Sequence, residues 1–394
     1  MRTKKKNDTL GVLARLLRDN KENIMNANRR DILSCRSAGA SMLDRLKTDE
    51  SKISGMIASL KLLKKMPDPE NRTIYSYKHR NGLKIENRTV PFGTILIIYE
   101  SRPDVTIEAA ATAFKAGNKV ILRGGTESRK TNIVLTKLWR RALAACGLSA
   151  DYVSYLDLDR KKIKEFIKNS REPDLIIPRG GKGLIDFVKK NTDIPVIASG
   201  RGNNFLYLDK KSDLAMAAKI IINGKSRISV CNALDKVLIN RDLPDLKNSL
   251  FKLTEALLSA GIAVYGDRPV CRLDKKIKEI RDDSAFAEEF LSAKIFISLV
   301  KDIDTAIDLI NEYSGGHSAA IITADAKKAL KFQNEVDCAA VYHNASTRFT
   351  DGGEFGSGAE IAISTQKLHF RGPIGPNELV TNKWFINGRG QIRK

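Results

Sequence analysis

The chain has 394 residues, of which 42% are hydrophobic and 29% charged, and its 68 Lys and Arg against 46 Asp and Glu give a net charge of +22. This length accommodates two or three domains, while the absence of a long apolar stretch or an apolar signal segment in the sequence predicts a cytoplasmic protein with no membrane partner. The basic residues are spread through all predicted helices without interleaved aromatics, which indicates a solvated surface that attracts anionic small molecules rather than a nucleic-acid footprint.

The first part of the chain predicts helices followed by a hairpin. Apolar residues fall on one helical face from about Thr9 to Lys65, and the two prolines of "MPDPEN" (66–71) end this pattern. The segment 73–90 then alternates and turns at Asn81-Gly82, a pair that is a strong hairpin signal.

From Thr94 onward, short apolar strands alternate with amphipathic helices. The predicted strands are "TILIIYE", "KVILRGG", "YVSYL", "DLIIPRGG" and "IPVIAS", each followed by a helical pattern. This alternation predicts βαβ crossovers and a doubly wound parallel sheet that runs to Asn223–Cys231. A second α/β unit begins at "KVLINRD" and extends to about "AAVYHNAS", and the tail after Gln366 is rich in Gly and Pro with one short strand.

Two predicted strands end in a glycine pair preceded by arginine. These are "ILRGGTES" (121–128) and "IIPRGGKGLI" (176–185). In a parallel sheet, glycine at the carboxyl end of a strand lets backbone N–H groups reach a phosphate, and Arg123, Arg179 and Lys182 would add positive charge. Neither loop has the dinucleotide fingerprint or P-loop spacing, so a tight turn remains the alternative for each.

The five cysteines do not form a recognisable framework. Their number is odd, and the set contains no CxxC pair and no histidine at metal-ligand spacing; its members are Cys35, Cys146, Cys231, Cys271 and Cys338. We therefore expect neither a disulfide scaffold nor a metal site. A buried, inert thiol is the usual state of a single cysteine, so a special role for Cys231 needs support from its surroundings.

Five stretches together resemble a known family. They are "YESRPDVTIEAAA" (99–111), "GNKVILRGG" (117–125), "DLIIPRGGKGLI" (174–185), "VCNALD" (230–235) and "VYHNASTRFTDGGEFGSGAEIAISTQKLHFRGPIG" (341–375). These stretches resemble the gamma-glutamyl phosphate reductases (glutamate-5-semialdehyde dehydrogenases) of the aldehyde dehydrogenase superfamily, and the resemblance covers nearly the whole chain. It implies an aldehyde-dehydrogenase-like α/β fold.

The resemblance implies an activity and a nucleophile. Cys231 would take the acyl group from L-glutamyl 5-phosphate with release of phosphate, and NADPH would reduce the thioester to L-glutamate 5-semialdehyde, a step of proline biosynthesis. A thiolate is the reactive form, and Arg227 or a helix N-terminus would favour it. The Cys231 N–H and the Asn232 side chain would stabilise the oxyanion. The stretch 196–209 has no carboxylate before Asp209, so it offers no general base for thioester hydrolysis, which favours reduction.

The resemblance also assigns binding roles. In the superfamily the segment matching Arg123, Gly124 and Gly125 contacts the adenosine ribose and its phosphate, and the pyrophosphate loop matches Arg179, Gly180, Gly181 and Lys182. Glu289 matches a residue that holds the nicotinamide ribose, although a solvated helix-end charge is an equal alternative. Substrate contacts are expected from residues at strand ends, with Arg348 pairing the substrate carboxylate: Arg102, Asp104, Arg227, Asn344, Ser346, Thr347 and Arg348.

Three structural parts follow from the same resemblance. We predict a cofactor domain at residues 1–72 and 91–226, a catalytic domain at 227–362, and an oligomerisation hairpin and tail at 73–90 and 363–394. The chain would then form a homo-oligomer. Glutamate 5-kinase, which makes the labile acyl phosphate, is the candidate protein partner.

The chain departs from the family pattern around the nucleophile. The family usually reads "NAKTQRPxxCNAxETLLV", whereas this chain reads "NGKSRISVCNALDKVLI", one residue shorter and with Asp235 in place of glutamate. Phe205 also replaces a histidine. A shorter loop would shift the thiolate, and attack geometry is sensitive to such shifts. Two alternatives therefore stay open, namely an aldehyde or acyl-thioester dehydrogenase of other specificity and a catalytically weakened basic binding protein.

Overall fold

The computed structural model describes residues 1–35, 39–228, 230–282 and 284–393, so Ser229 of the cysteine motif lies outside the described residues. The chain forms two compact units. The first comprises Met1–Ala198, Gly356–Ala362 and Ile374–Lys394, and the second comprises Ser199–Phe355 and Ile363–Pro373.

The first unit begins with helices and continues as a parallel α/β structure. Its helices are α1 (Thr3–Asp19), α2 (Lys21–Ser34), α3 (Ala40–Leu46), α4 (Glu50–Lys65), α5 (Val105–Lys115), α6 (Arg129–Ala145), α7 (Arg160–Asn169) and α8 (Lys182–Lys190). Its strands up to residue 198 are β1 (Thr73–Lys78), β2 (Lys84–Pro91), β3 (Thr94–Tyr99), β4 (Lys119–Gly124), β5 (Val153–Tyr155) and β6 (Leu175–Arg179). The predicted N-terminal helices, the hairpin and the strand–helix alternation are confirmed.

Four parallel strands in the order β5-β4-β3-β6 form the central sheet of this unit. Buried side chains of β3 and β4 pack against α5 and α6, where the Phe114 and Trp139 rings meet edge to face. The predicted strand "IPVIAS" is reduced to a single bridge between Ile176 and Val196. Pro195 has no N–H to donate, so its carbonyl accepts from Ile176 but a regular ladder does not form there.

The second unit contains a seven-stranded parallel sheet in the order β10-β9-β11-β8-β7-β12-β13. Its strands are β7 (Asn204–Leu208), β8 (Leu234–Asn240), β9 (Ala263–Gly266), β10 (Lys278–Glu279), β11 (Lys294–Val300), β12 (Ser318–Ile322) and β13 (Ala340–His343). Its helices are α9 (Leu214–Gly224), α10 (Leu246–Ser259), α11 (Arg268–Leu273), α12 (Ser284–Ala287), α13 (Ile303–Tyr313) and α14 (Ala326–Glu335). Every residue of the central strand β8 is buried.

The division between the units falls earlier than the sequence predicted. We expected the first sheet to continue to residue 226, but β7 pairs with β8 and β12 of the second sheet. The segment 199–226, with β7 and α9, therefore belongs to the unit that carries Cys231. Alternation of strands and helices does not reveal which sheet a strand joins, so this boundary could not be predicted from the sequence pattern.

The hairpin and the C-terminal tail form a small antiparallel sheet. Gly82 adopts a φ of 94° at the predicted turn. Strand β2 pairs with β1 on one side and with the tail strand β16 (Val380–Asn387) on the other. Two short strands, β14 (Ala362–Ser364) and β15 (Gly372–Ile374), precede β16 and pair with each other.

None of the helices in the described part of the chain has the length and apolar character that a membrane crossing requires.

Candidate active site

Cys231 lies on the loop that enters β8, and its side chain is exposed. Buried Asn204, the first residue of the neighbouring strand β7, holds the main chain of this loop: its Nδ2 donates to Cys231 O at 2.8 Å and to Ala233 O at 2.7 Å. Gly202 passes directly beside the cysteine, since a Cβ at that position would lie 2.6 Å from Cys231 Cα. The main chain that carries the thiol is therefore held from the adjacent strand.

The side chain of Asn232 points away from the role that the sequence predicted. Its Nδ2 donates to Arg348 O at 3.1 Å and to Thr350 O at 3.0 Å, which uses both amide hydrogens. The predicted oxyanion donor is therefore committed to main-chain carbonyls. Thr347 Oγ1 also donates to Asn232 O at 2.9 Å, so Asn232 ties the cysteine loop to the segment after β13.

Arg348 is the charged group that the structure brings to Cys231. Its guanidinium donates to Asn232 Oδ1. Burial lowers the pKa of Arg348, the charge of exposed Arg227 acts in the same direction, and negative charge on Cys231 raises it. Cys231, Asn232, Thr347, Arg348 and Arg227 thus interact within one cluster.

Asn344 and Ser346 have other tasks. Asn344 follows the carboxyl end of β13, where its amide exchanges hydrogen bonds with Thr323 N and O, both at 3.0 Å. Cys231 precedes the amino end of β8, so in this parallel sheet the two residues lie at opposite ends of the strands, and the expected substrate contact of Asn344 gains no support from this geometry. Ser346 is buried, and its hydroxyl accepts from Arg348 N at 3.2 Å, which shapes the turn that presents Arg348.

Glu289 is half-buried and is not a solvated charge. Its Oε1 accepts from Gly202 N at 3.2 Å, next to the cysteine loop. Burial raises the pKa of Glu289, and the negative charge of Asp235 adds to this rise. Gly202 and Asn204 were missed by sequence reasoning, because a glycine or an asparagine without a motif carries no signal of its contact with a loop 27 or more residues away.

In the first unit, the glycine loop after β6, residues 179–182, binds a carboxylate oxygen of the same unit. Gly181, which precedes α8, donates its N–H to Glu100 Oε2 at 3.1 Å. The structure therefore places a carboxylate where a phosphate was predicted, and this contact indicates that the amide suits an anionic ligand. Lys182 lies on the helix surface instead, 2.5 Å from Asp186 Oδ2.

The first glycine loop is more enclosed. Arg123 is buried, and its guanidinium donates to Leu158 O at 3.2–3.3 Å. This bond gives the Arg123 side chain a structural role. Beyond Gly124 and Gly125, the carboxylate of Glu127 accepts from Ser101 N at 2.6 Å. The predicted contact of Arg123 with a cofactor phosphate thus has no support from the side-chain geometry.

Arg102 and Asp104 belong to a mixed cluster of charges after β3. Asp104 and Glu108 stand one turn apart at the start of α5, and Asp104 Oδ1 is buried without a hydrogen-bond partner among the described residues. Burial raises the pKa of Glu108 to about 7, Asp104 adds to the rise, and Arg179 and Arg102 oppose it. Lys52 is close enough to interact with Asp104 and Arg102.

Among the described residues, no group of three or more His, Cys, Asp or Glu side chains is arranged to hold a metal ion.

Comparison with known proteins identifies the family of this chain. Residues 1–261 and 279–360 match the model of the aldehyde dehydrogenase family. A gamma-glutamyl phosphate reductase of Clostridium botulinum is 45% identical over 99% of this chain and 95% of its own length. The chain belongs to the gamma-glutamyl phosphate reductases of the aldehyde dehydrogenase family. Another member, from Bacillus velezensis, is 40% identical over 99% of this chain and 94% of its own length.

Solved structures confirm the aldehyde-dehydrogenase-like fold. The gamma-glutamyl phosphate reductase of Thermotoga maritima matches 100% of this chain and 95% of its own with a TM-score of 0.95 and 38% identity. A propionaldehyde dehydrogenase of Rhodopseudomonas palustris, solved with bound CoA and an acylated cysteine, matches 98% of this chain and 92% of its own with a TM-score of 0.68. At 16% identity, the second likeness shows the fold alone.

Proposed function

We propose that this chain reduces L-glutamyl 5-phosphate to L-glutamate 5-semialdehyde with release of phosphate, using NADPH and a thioester at Cys231, as a step of proline biosynthesis. The observation that carries the proposal is the exposed thiol of Cys231, held by Asn204 and accompanied by Arg348 and Arg227, in a full-length member of the gamma-glutamyl phosphate reductases. The substrate is accordingly a small, anionic molecule.

In the first step, the Cys231 thiolate attacks the acyl carbon and the C–O bond to phosphate breaks, so that phosphate leaves with the electron pair. The positive charges of Arg348 and Arg227 favour the thiolate and the phosphate alike. One guanidinium N–H of Arg348 is bonded to Asn232, and the planar fork carries further donors that suit the substrate carboxylate, the expected role of Arg348. The Cys231 N–H is our candidate for the tetrahedral oxyanion.

In the second step, the thioester carbon accepts a hydride and the C–S bond breaks, which returns the thiolate and releases the aldehyde. Bound NADPH supplies this hydride. Gly181 N–H already accommodates the anionic Oε2 of Glu100, which supports the glycine loop at Gly180–Gly181 as a site for cofactor phosphate. Glu289 is our candidate for the nicotinamide ribose. NADP rather than NAD is part of the proposal, because the family establishes only a nicotinamide cofactor.

Hydrolysis of the thioester is disfavoured because the segment before the nucleophile, residues 196–209, offers no carboxylate suited to act as a general base. The stretch 196–209 has one carboxylate, Asp209, which is fully buried and paired with Lys328. A buried, ion-paired carboxylate is unsuited to activate water. We therefore expect the thioester to persist until it is reduced by hydride transfer.

We assign oligomerisation to the sheet β1-β2-β16, and cofactor binding and catalysis to the first and second units. This sheet exposes a set of large apolar side chains, as expected of a surface that a second copy covers: Ile74, Tyr75, Tyr77, Trp384 and Ile386. A homo-oligomer is therefore our expectation, which sedimentation analysis of the wild type and of Trp384→Glu would test. We also propose that the protein is cytoplasmic and that it interacts with glutamate 5-kinase.

The decisive assay runs the reaction in reverse. We expect purified protein to reduce NADP+ with glutamate 5-semialdehyde only when inorganic phosphate is present, because phosphate must cleave the thioester. Cys231→Ser should abolish this activity, whereas Cys146→Ser, at the end of α6, should retain it. Activity without phosphate but with CoA would favour an acyl-thioester dehydrogenase of other specificity, and activity retained by Cys231→Ser would reject the mechanism.

A further inference from the structure

Two charged residues are buried at the start of β8, four and five positions after the nucleophile. Asp235 is 1% exposed and Lys236 is fully buried, in the central strand of the second sheet. Charged side chains are almost never fully buried unless they are paired or bonded. Neither residue has a place in the chemistry described above, so their burial calls for a separate role.

An irregularity in strand pairing aims both side chains at one segment. Asn204 pairs with Leu234 and Phe205 pairs with Lys236, so Asp235 is an extra residue in β8. Consecutive residues of a regular strand face opposite sides of the sheet, and a bulge redirects a side chain. As a result, Lys236 Nζ donates to Glu288 O at 2.7 Å, and Asp235 Oδ2 accepts from Phe290 N at 2.8 Å.

The surrounding groups complete these contacts. The Lys236 ammonium lies 3.6 Å from the centroid of the Phe290 ring, a short cation–π distance. The other carboxylate oxygen of Asp235 pairs with Lys225, whose side chain is fully buried at the end of α9. Asp235 and Lys236 thus bond the main chain on both sides of Glu289, from one strand.

This fixed segment leads directly to the nucleophile. Glu289 Oε1 accepts from Gly202 N at 3.2 Å, and Gly202 has no room for a side chain beside Cys231 Cα and O. A shift of residues 288–290 would therefore move Glu289 and release Gly202 from its contact. Strand β8 is thus connected to the cysteine loop by three hydrogen bonds. Asp235 and Lys236 each bond the main chain of residues 288–290, and Glu289 accepts from Gly202 N.

We propose that Asp235 and Lys236 are positioning residues for the reduction step, since they hold Glu289 where it meets the cofactor and keep Gly202 against the Cys231 loop. This inference rests on the proposed function, specifically on Glu289 as a cofactor contact. It separates two measurements: alkylation of Cys231 depends on the thiol and Arg348, whereas hydride transfer also depends on the 288–290 segment.

The rate of the reduction step should depend on pH through the protonation of Lys236. Burial lowers the pKa of Lys236 to about 7; the charges of Lys225 and Lys294 act in the same direction, and those of Asp235 and Glu288 oppose it. Protonation of Lys236 strengthens its bond to Glu288 O and its contact with Phe290. Single-turnover hydride transfer should therefore change with an inflection near pH 7, whereas iodoacetamide alkylation of Cys231 reports the thiolate alone.

The experiment compares Lys236→Met with Lys276→Met, a control in which an ammonium over the exposed Phe251 ring is lost in the same unit. We expect Lys236→Met to raise KM for NADPH and to slow hydride transfer, each about tenfold, because small displacements at a reacting centre cost rate steeply. Alkylation of Cys231 should stay at the wild-type rate in both variants. Lys276→Met should match the wild type in every measurement.

Lys236→Gln covers the case in which Lys236→Met does not fold. Glutamine keeps an N–H donor for Glu288 O but does not titrate, so the inflection near pH 7 should disappear while part of the NADPH affinity returns. Unchanged NADPH kinetics in folded Lys236→Met, or a wild-type inflection in Lys236→Gln, would overturn the inference. A wild type without phosphate-dependent activity would instead reject the proposed function itself.

Discussion

Gly202 is the position where one methyl group tests the geometry of the site most directly. A Cβ there would lie 2.6 Å from Cys231 Cα and 2.7 Å from Glu289 Oε1, and would also meet the Cys231 carbonyl oxygen. Ordinary contacts begin at about 3.4 Å, so the cysteine loop has to retreat by about 1 Å. A misplacement of that size costs about 100-fold in rate. We therefore expect Gly202→Ala to slow acyl transfer to Cys231 about 100-fold.

The assay separates this displacement from loss of structure. Overpacking should lower the free energy of unfolding of Gly202→Ala by about 1–3 kcal/mol, which denaturant titration measures. Gly55→Ala is the matched control, because Gly55 lies inside α4 and a Cβ there meets no atom within 4 Å. It should keep full activity and gain about 0.5–1 kcal/mol of stability. A folded Gly202→Ala whose single-turnover rate stays within about twofold of the wild type would refute the reasoning.

Three further predictions concern charges. Glu100→Gln removes a carboxylate that competes with cofactor phosphate for Gly181 N–H, so KM for NADPH should fall by about threefold to tenfold, and an unchanged or higher KM would argue against a phosphate at this loop. Arg348→Met removes a cation beside Cys231, so the pH profile of iodoacetamide alkylation should move to higher pH; an unmoved profile would exclude Arg348 from thiolate stabilisation. The third prediction uses the lowered pKa of Lys236, which is about 7 when folded and near its ordinary value of 10.5 when unfolded. Because the unfolded chain binds more protons between these values, the free energy of unfolding should rise with pH across that window, by at most about 1.4 kcal/mol per pH unit, relative to Lys236→Met. Parallel stability curves for the two proteins would contradict it.

The sequence predicted the elements better than their partners. Hydrophobic periodicity and the Asn81-Gly82 turn located the helices, the hairpin and most strands, because these patterns depend on neighbours within a few residues. The sheet that β7 joins and the bonds of Asn232 depend on residues far away in sequence: the amide of Asn232 meets carbonyls 116 and 118 residues later. No local pattern records such a pairing. For the same reason, the sequence of "NASTRF" does not show that Asn344 bonds Thr323 whereas Arg348 bonds Asn232.

The effect of the shortened loop before the nucleophile depends on which residues hold the cysteine loop in place. The missing residue falls among residues 223–227, and the described part of this turn, Ser226 to Ile228, is exposed. Among the described residues, several bonds that hold the cysteine loop involve residues after that turn: Asn204 binds the carbonyls of Cys231 and Ala233, and Asn232 binds the segment after β13. An exposed turn absorbs a deletion at low cost, because loop closure depends only weakly on length. The main chain around Cys231 is therefore held from β7 and the Arg348 turn, by residues that lie outside the shortened segment, and this is the physical reason to expect catalysis despite the departure from the family pattern.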